Sequence, residues 1–424
     1  MSTADILEDL RARGLIHDTT AIDALRERLA QGPIAVYAGF DPTADSLHVG
    51  NLVPLLLLRR FQIFGHQPVA LAGGATGMIG DPGGRSSERN LLDATTLDAN
   101  LAAIKPQLEM LLDFTPGATQ ARLVDNRDWT APLGVLDFLR DVGKHVTVNT
   151  MLAKDSVKSR VESDAGISFT EFSYMLLQAN DYHHLFNELK VELQVGGSDQ
   201  WGNITAGIDL IRRTEGVHVH GLTVPLVTRA DGQKFGKSVD GAVWLSPDRT
   251  TPYAFFQYFM NVDDRDVERF LLQMTLVPVD QIVAAMAEHN ADPGQRRAQQ
   301  LLARSVTALV HGEGEADRAA GASQGFTRSA QELSAEEWAE LTSSLPTLPI
   351  VASDIGRDLV EVLADHGALA SRSEGRRLVA QSGLSLNDAA VTEGQVLQVS
   401  DFTGDGYAMA RRGKKHRFVL RFLP

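Results

Sequence analysis

Six short stretches of this chain carry residue types and spacings able to recognise or react. In Tyr37-Ala38-Gly39-Phe40-Asp41-Pro42-Thr43, the side-chain period of a strand puts Tyr37, Gly39 and Asp41 on one face, and the glycine lets a ligand approach the backbone. Ser46-Leu47-His48-Val49-Gly50-Asn51 leads into a helical pattern. The free N–H groups and partial positive charge of a helix start suit a phosphate, to which His48 can donate. Gly73-Gly74-Ala75-Thr76-Gly77-Met78-Ile79-Gly80-Asp81-Pro82 follows a strand pattern, and Asp81 aimed inward can hold an ammonium group. Tyr174, Gln178 and Asp181 stand at i, i+4 and i+7, one face of a helix, beside the apolar Met175, Leu176 and Leu177. Gly196-Gly197-Ser198-Asp199-Gln200-Trp201-Gly202-Asn203 offers a carboxylate and amides suited to ribose hydroxyls. Lys234-Phe235-Gly236-Lys237-Ser238 sets two lysines on a polar loop, where they can stabilise charge developing on a polyphosphate.

Taken singly, most of these have a plainer reading. A strand end with a turn, a histidine that caps a helix, an exposed polar stripe, an N-capped helix start and a basic surface loop each account for one stretch. Only the Gly-rich segment leans towards a site by itself, because so many glycines at one strand end have few structural uses.

The elements that must position these residues alternate. Strand candidates at Ile34–Tyr37, Val69–Leu71, Arg122–Val124, Glu192–Val195 and Leu222–Leu226 are separated by helical patterns such as Leu52–Phe64, Leu133–Val142 and Ile204–Thr214. Such alternation predicts a parallel sheet covered by helices, with ligands beyond the carboxyl ends of the strands. From about Tyr253 to Thr342 the pattern is helical. Residues 343–355, with Pro346 and Pro349, read as a linker. The remainder reads as a small unit with helices at Arg357–Asp365 and Ser373–Gln381 and strands at Val396–Val399 and Arg417–Phe422.

Composition narrows the classes. A chain of 424 residues with 43% hydrophobic residues predicts two or three domains. With no cysteine, disulfides, thiolate metal sites and cysteine nucleophiles are excluded, which fits a reducing cytosol. The first ten residues read as an amphipathic helix and not a signal peptide, and the apolar run Leu52–Leu58 is too short to span a bilayer. Net charge is −14, yet from His366 onward nine Lys/Arg face five Asp/Glu. A basic tail on an acidic body reads either as a module that meets a polyanion or as a solvated basic face.

The identity and order of the six stretches carry a resemblance. His48-Val49-Gly50-Asn51 resembles the His-Ile-Gly-His signature of class I aminoacyl-tRNA synthetases, and Lys234–Ser238 resembles their Lys-Met-Ser-Lys-Ser loop. The Tyr-Ala-Gly-Phe-Asp-Pro-Thr, Gly-Asp-Pro, Phe-Ser-Tyr-Met-Leu-Leu-Gln and Gly-Gly-Ser-Asp-Gln-Trp-Gly-Asn segments are similar to those of bacterial tyrosyl-tRNA synthetases, over nearly the whole chain. The resemblance implies an α/β fold: a Rossmann-like catalytic domain with a dimerisation insert over 1–250, an α-helical anticodon-side domain over 251–342, the linker 343–355 and a small α+β RNA-binding domain over 356–424.

Residue by residue, it implies that Tyr37 and Asp181 bind the phenol of tyrosine, and Asp81, Tyr174 and Gln178 its amino group. Gly39, Asp41, Asp199 and Gln200 would line the amino-acid and ribose sites. Thr43 and His48 would contact the phosphates, with Gly50 and Asn51 near the adenosine. Lys234 and Lys237 would hold pyrophosphate, helped by Arg85 and Arg89. Arg372, Arg376, Arg377, Arg411, Arg412, Lys414 and Lys415 would contact tRNA phosphates. It further implies ATP with Mg²⁺ as substrate, no resident cofactor or metal, a homodimer, a cytoplasmic location and neither membrane nor DNA as partner. Tyrosine-activating enzymes are the standard example of a buried polar pair rejecting phenylalanine, so no editing domain is expected.

Four positions depart from the pattern: Asn51 in place of the second signature histidine, Pro54 inside the following helix, Arg85 where lysine is common, and Asn180 where an aromatic is common. A tryptophan-activating relative is disfavoured by Tyr37 with Asp181, and a non-catalytic RNA-binding paralogue by retention of His48, Lys234 and Lys237. A dinucleotide-binding oxidoreductase is disfavoured because the first strand lacks a Gly-x-Gly-x-x-Gly turn.

Overall fold

The computed structural model describes residues 5–81, 92–161, 166–230, 232, 235–238, 241–325, 330–413 and 416–423. They group into two compact units, one of residues 1–250 with 261–310, the other of 251–260 with 311–424.

The first unit is built on five parallel strands: β1 (Ala35–Phe40), β2 (Gln67–Ala72), β3 (Arg122–Asp125), β4 (Val191–Gly197) and β5 (His220–Val224), in the order β3-β2-β1-β4-β5. Each lies on a predicted apolar run, near-continuous in β1, β2 and β5 because helices cover both faces of such a sheet. β5 stops at Val224, two residues before the expected end, since Pro225 has no N–H to continue the ladder. Strand order reverses between β1 and β4, so the loops leaving these two strands diverge and open a crevice. Past β5 the two-residue strands β6 (Lys237–Ser238) and β7 (Gly241–Ala242) pair antiparallel.

The helices that matter here are α1 (Ile6–Ala12), α2 (Val49–Ile63), α3 (Arg127–Thr130), α4 (Phe169–Leu189), α5 (Trp201–Glu215) and α6 (Asp264–Met274). α2 buries Leu52, Leu55, Leu56 and Phe61 completely, and it runs unbroken through Pro54. α4 and α5 lie against each other at Gly207, where a Cβ would sit 2.9 Å from the Tyr182 ring. The last carbonyls of α6 lack helical partners. Two buried arginines take them: Arg13 donates to Leu272 O (3.3 Å) and Arg60, from α2, donates to Leu272 O (3.2 Å) and Thr275 O. These bonds explain why residues beyond 261 group with the first 250.

In the second unit, β8 (Thr347–Val351), β9 (Leu384–Leu386), β10 (Ala389–Ala390), β11 (Tyr407–Arg412) and β12 (His416–Leu423) form a sheet in the order β10-β9-β11-β12-β8. One face buries Ala408, Ala410 and Leu420 against Leu359, Val362 and Leu363. On the other, Met409 and Val419 pack with Trp338, which stacks on Tyr407 at 5.3 Å. The segment 343–355, expected as a linker, holds β8: Leu348 and Ile350 alternate inward and pair it in parallel with β12. The strand expected at Val396–Val399 is instead a single bridge from Val396 to Asp358 followed by a tight turn. Only Leu397 enters the core there, and Val396 and Val399 face solvent.

Gly207→Val is expected to destabilise the chain by about 1–3 kcal/mol through overpacking against Tyr182, read as a lower urea midpoint at unchanged slope.

Candidate active site

The crevice between the ends of β1 and β4 is a cavity of about 770 Å³. Its lining includes Tyr37, Gly39, Asp41, Thr43, His48, Gly50, Asn51, Asp81, Tyr174, Gln178, Asp181, Asp199 and Gln200. Thus every described residue that the sequence assigned to the amino-acid and nucleotide sites reaches one cavity, with the exception of Lys237, whose backbone forms β6 and whose side chain is not described. Lys234, Arg85, Arg89, Lys414 and Lys415 lie outside the described residues.

The deep end is organised by Asp181 on α4, 2% exposed. Its two oxygens accept from Trp129 Nε1 (2.8 Å) and Asn126 Nδ2 (2.9 Å). Burial raises its pKa to about 7, opposed by those two donors and assisted slightly by the Asp41 charge. Across the cavity stands Tyr37 from β1, 1% exposed, whose hydroxyl has no hydrogen-bond partner among the described residues. Burial, and then the Asp181 charge, pushes its pKa well above the ordinary value, so it stays a neutral hydroxyl. A buried unpaired hydroxyl costs roughly 1–3 kcal/mol. Tyr37 and Asp181 together therefore suit a ligand that brings a hydroxyl group to this spot.

Two hydrogen-bonded chains line the middle. Tyr174 donates to Asp41 Oδ2 (2.8 Å), Thr76 donates to Asp41 Oδ1 (2.7 Å), and Asn126 donates to Thr76 (2.9 Å). In the other, Gln178 donates to Gln200 Oε1 (3.3 Å), and Gln200 donates to Asp81 Oδ2 (2.6 Å). Gly73 is required beside the first chain, since a Cβ there would lie 2.0 Å from Asp41 Oδ1. Tyr174 is held neutral, chiefly by burial and then by Asp41 and Asp81. Two carboxylates, Asp41 and Asp81, beside neutral donors favour a cation, such as an ammonium group, at mid-depth.

The mouth is different. His48 precedes the first turn of α2, its backbone N–H donating to Asn51 Oδ1 (3.0 Å). Asn51, which departs from the signature histidine, thus serves as a helix cap. Gly236, at φ 91°, lies against the same turn, where a Cβ would sit 3.6 Å from Gly50 N. Exposed His48 at a helix start, with exposed Thr43 in the loop leading to it, suits an anion.

Sequence reasoning missed Asn126, Trp129 and Gln194, and gave Thr76 and Asn203 no role of their own within the stretches it singled out. Asn126 directly follows β3, and the rule that ligands meet strand ends could have found it. Gln194 lies opposite Tyr37 in the β1–β4 register and lines the cavity. Nothing in the sequence marks Trp129, whose indole reaches Asp181 from the short α3.

The basic residues of the second unit are unevenly available. Arg372 is engaged by Glu361 (2.9 Å) and Asp365 (3.4 Å), and Arg412 lies 3.9 Å from Glu374. Arg376, Arg377 and Arg411 are exposed.

Residues 29–327 match the family described as tRNA synthetases class I (W and Y). A tyrosine–tRNA ligase of Opitutus terrae is 50% identical over 423 residues, covering 99% of this chain and 100% of that one. Another, from Roseiflexus castenholzii, is 48% identical over 423 residues, 99% of each chain. Among solved structures, a C-terminally truncated mitochondrial tyrosyl-tRNA synthetase of Aspergillus nidulans aligns at TM-score 0.69 and 33% identity, covering 76% of this chain and 94% of that one.

The raised pKa of Asp181 has a stability consequence. Between its ordinary value of 3.8 and about 7 the folded chain keeps a proton that the unfolded chain releases, so this residue's contribution falls as pH rises. Asp181→Asn is expected to gain stability over the wild type across that window, reaching on the order of a few kcal/mol at pH 8. Urea unfolding of both proteins at pH 5 and pH 8 checks it.

Proposed function

This chain belongs to the class I tRNA synthetases of the tryptophan and tyrosine type, and from that premise we infer that it is a tyrosine–tRNA ligase. It activates L-tyrosine with ATP and transfers the tyrosyl group to tRNA. The observation that carries the choice of amino acid is the pairing of Tyr37 and Asp181 at the closed end of the cavity. A phenol hydroxyl there donates to Asp181 and accepts from Tyr37. Phenylalanine leaves the Tyr37 hydroxyl buried and unpaired and brings Asp181 no further donor, and an indole offers a donor but no acceptor.

We assign the remaining roles as follows. Asp81, Tyr174 and Gln178 hold the tyrosine ammonium, with Asp41 and Gln200 completing the network around it. The carboxylate then points to the mouth, where Thr43, His48 and the first turn of α2 receive the ATP phosphates. Gly39, Gly50, Asn51 and Asp199 take the nucleoside. A tyrosine carboxylate oxygen attacks the α-phosphorus in line. The bond from the α-phosphorus to the bridging oxygen breaks, and pyrophosphate leaves with its Mg²⁺, which enters with ATP. Lys234 and Lys237 bind the departing group. In the second step the terminal ribose hydroxyl of tRNA attacks the acyl carbon of the adenylate, and AMP leaves. No residue becomes covalently modified. Rate comes from positioning and from donors that meet charge as it develops.

Residues 251–342 are assigned to the anticodon side of the tRNA, and those from 356 onward to its phosphates through Arg372, Arg376, Arg377, Arg411, Arg412, Lys414 and Lys415. Counterion release then makes tRNA affinity fall with salt. A homodimer is part of the reading, supported by large apolar side chains left exposed between 135 and 169: Val135 (75%), Leu136 (81%), Val148 (59%) and Phe169 (76%). The reading places the enzyme in the cytoplasm. No helix among the described residues is long and apolar enough to cross a membrane.

Amino-acid-dependent ATP–pyrophosphate exchange tests the proposal. Exchange is expected with tyrosine alone and is expected to fall by about 10²-fold or more in Asp181→Ala. Exchange supported by tryptophan, or by no amino acid in folded protein, would refute the assignment.

A further inference from the structure

Three of the described contacts that hold the segment carrying the two lysines come from α6. Arg269 Nη2 donates to Thr228 O (2.5 Å) and to Asp266 Oδ1 (2.5 Å). Asp266, 3% exposed, accepts from Ala230 N through its other oxygen (2.8 Å). The Phe235 ring packs on Phe270, with centroids 4.2 Å apart, and the Arg269 guanidinium covers Phe270 at 5.1 Å. Residues 266, 269 and 270 stand at i, i+3 and i+4, so one face of one helix grips positions 228, 230 and 235.

The opposite end of α6 is tied to the other half of the nucleotide site. Arg60, 2% exposed and projecting from α2, donates to Leu272 O (3.2 Å) and to Thr275 O. Arg13 on the turn after α1 adds bonds to Leu272 O (3.3 Å) and Val277 O (3.0 Å). α2 is the helix that His48 caps. The circuit then closes at the mouth: Val243 N donates to Gly236 O (2.8 Å), and Val49 N, in the first turn of α2, donates to Val243 O (3.0 Å). Two signature segments far apart in sequence are therefore fastened to each other through Val243 at one end and through α6 at the other.

We propose that α6 sets the register of the lysine segment against the His48 turn, with Asp266 and Arg269 as positioning residues for adenylate formation. The proposal rests on the function inferred above. Neither side chain lines the cavity, so neither contacts the amino acid. Asp266 is suited to the task because it is buried: a carboxylate out of water holds its two partners in one geometry. Tyrosine binding depends on β1, β4 and α4 and makes no use of α6. The lysines must meet charge that appears only as pyrophosphate departs, and a misplacement of about 1 Å can cost 10²-fold in rate. Loosening the clamp therefore separates the two quantities, leaving tyrosine affinity intact and slowing the chemical step.

The experiment measures tyrosine dissociation constants by equilibrium titration and single-turnover tyrosyl-adenylate formation at saturating MgATP. It uses the full chain and compares wild type with Asp266→Asn, Arg269→Gln, Arg269→Lys and Phe270→Leu. The Arg269 side chain is 38% exposed, so its variants keep the fold even if those at Asp266 or Phe270 do not. The expected result is a rate lowered about 10- to 100-fold in Asp266→Asn and Arg269→Gln, a tyrosine dissociation constant within about twofold of wild type, and partial recovery in Arg269→Lys. Unchanged rates in folded Arg269→Gln would overturn the proposal. So would a loss of tyrosine affinity in proportion to rate, which marks a general structural role. Wild type that forms no adenylate would instead refute the assigned function, and the proposal with it.

Discussion

A carboxylate that water does not reach governs this site. Asp181 sits at 2% exposure, and burial is the main force lifting its pKa towards neutrality. Ionising it there is unfavourable, and two neutral donors, Trp129 and Asn126, offset part of that cost while fixing its orientation. Neither donor supplies a full charge, so the carboxylate keeps capacity for one further donor. Tyr37, equally buried and with its hydroxyl unpartnered among the described residues, defines where that donor must lie. The fold around the pair is arranged to keep it dry. α4 lays Tyr182 and Leu185 against Tyr37, Val69 and Leu71 of the sheet, and Trp129 seals the same cluster.

From that closed end the electrostatics change along the cavity. Carboxylates and neutral amides crowd the middle, and the start of α2 with its polar Thr43 and His48 forms the mouth. A substrate with a hydroxyl at one end, a cation in the middle and a carboxylate towards the mouth can enter in only one direction. The strand order supports this gradient, because β1 and β4 are neighbours whose connections leave on opposite sides. The deep residues come from β1 and α4, the mouth from α2. Strain or looseness in one set thus need not pass to the other, which is why substrate recognition and phosphate chemistry are expected to separate under mutation.

Much of this was legible in the sequence, for identifiable reasons. Parallel strands covered on both faces read as apolar runs, which placed β1, β2 and β5, while β3 and β4 were placed by shorter apolar stretches between helical patterns. The period of a helix put Tyr174, Gln178 and Asp181 on one face, and all three line the cavity. The misses share a cause: they depend on contacts between distant segments. Trp129 reaches Asp181 across 52 positions, and Ala230 meets Asp266 across 36, with no local pattern to announce either. The expected strand at Val396–Val399 failed because Val396 and Val399 face solvent, and β8 was hidden by Pro346 before it and Pro349 within it. Pro349 is tolerated because β8 lies at the edge of its sheet.

The most direct test of the role given to Asp181 is the proton balance of tyrosine binding. A phenol that donates to this carboxylate stabilises its charged form and lowers a pKa that lies at about 7 in the ligand-free protein. Calorimetric titration in buffers of different ionisation enthalpy should show tyrosine releasing on the order of one proton per site near pH 6 and none near pH 8.5. Asp181→Asn should release none at either pH. No release by wild type near pH 6, or the same release by the variant, would contradict a buried carboxylate that reads the substrate hydroxyl.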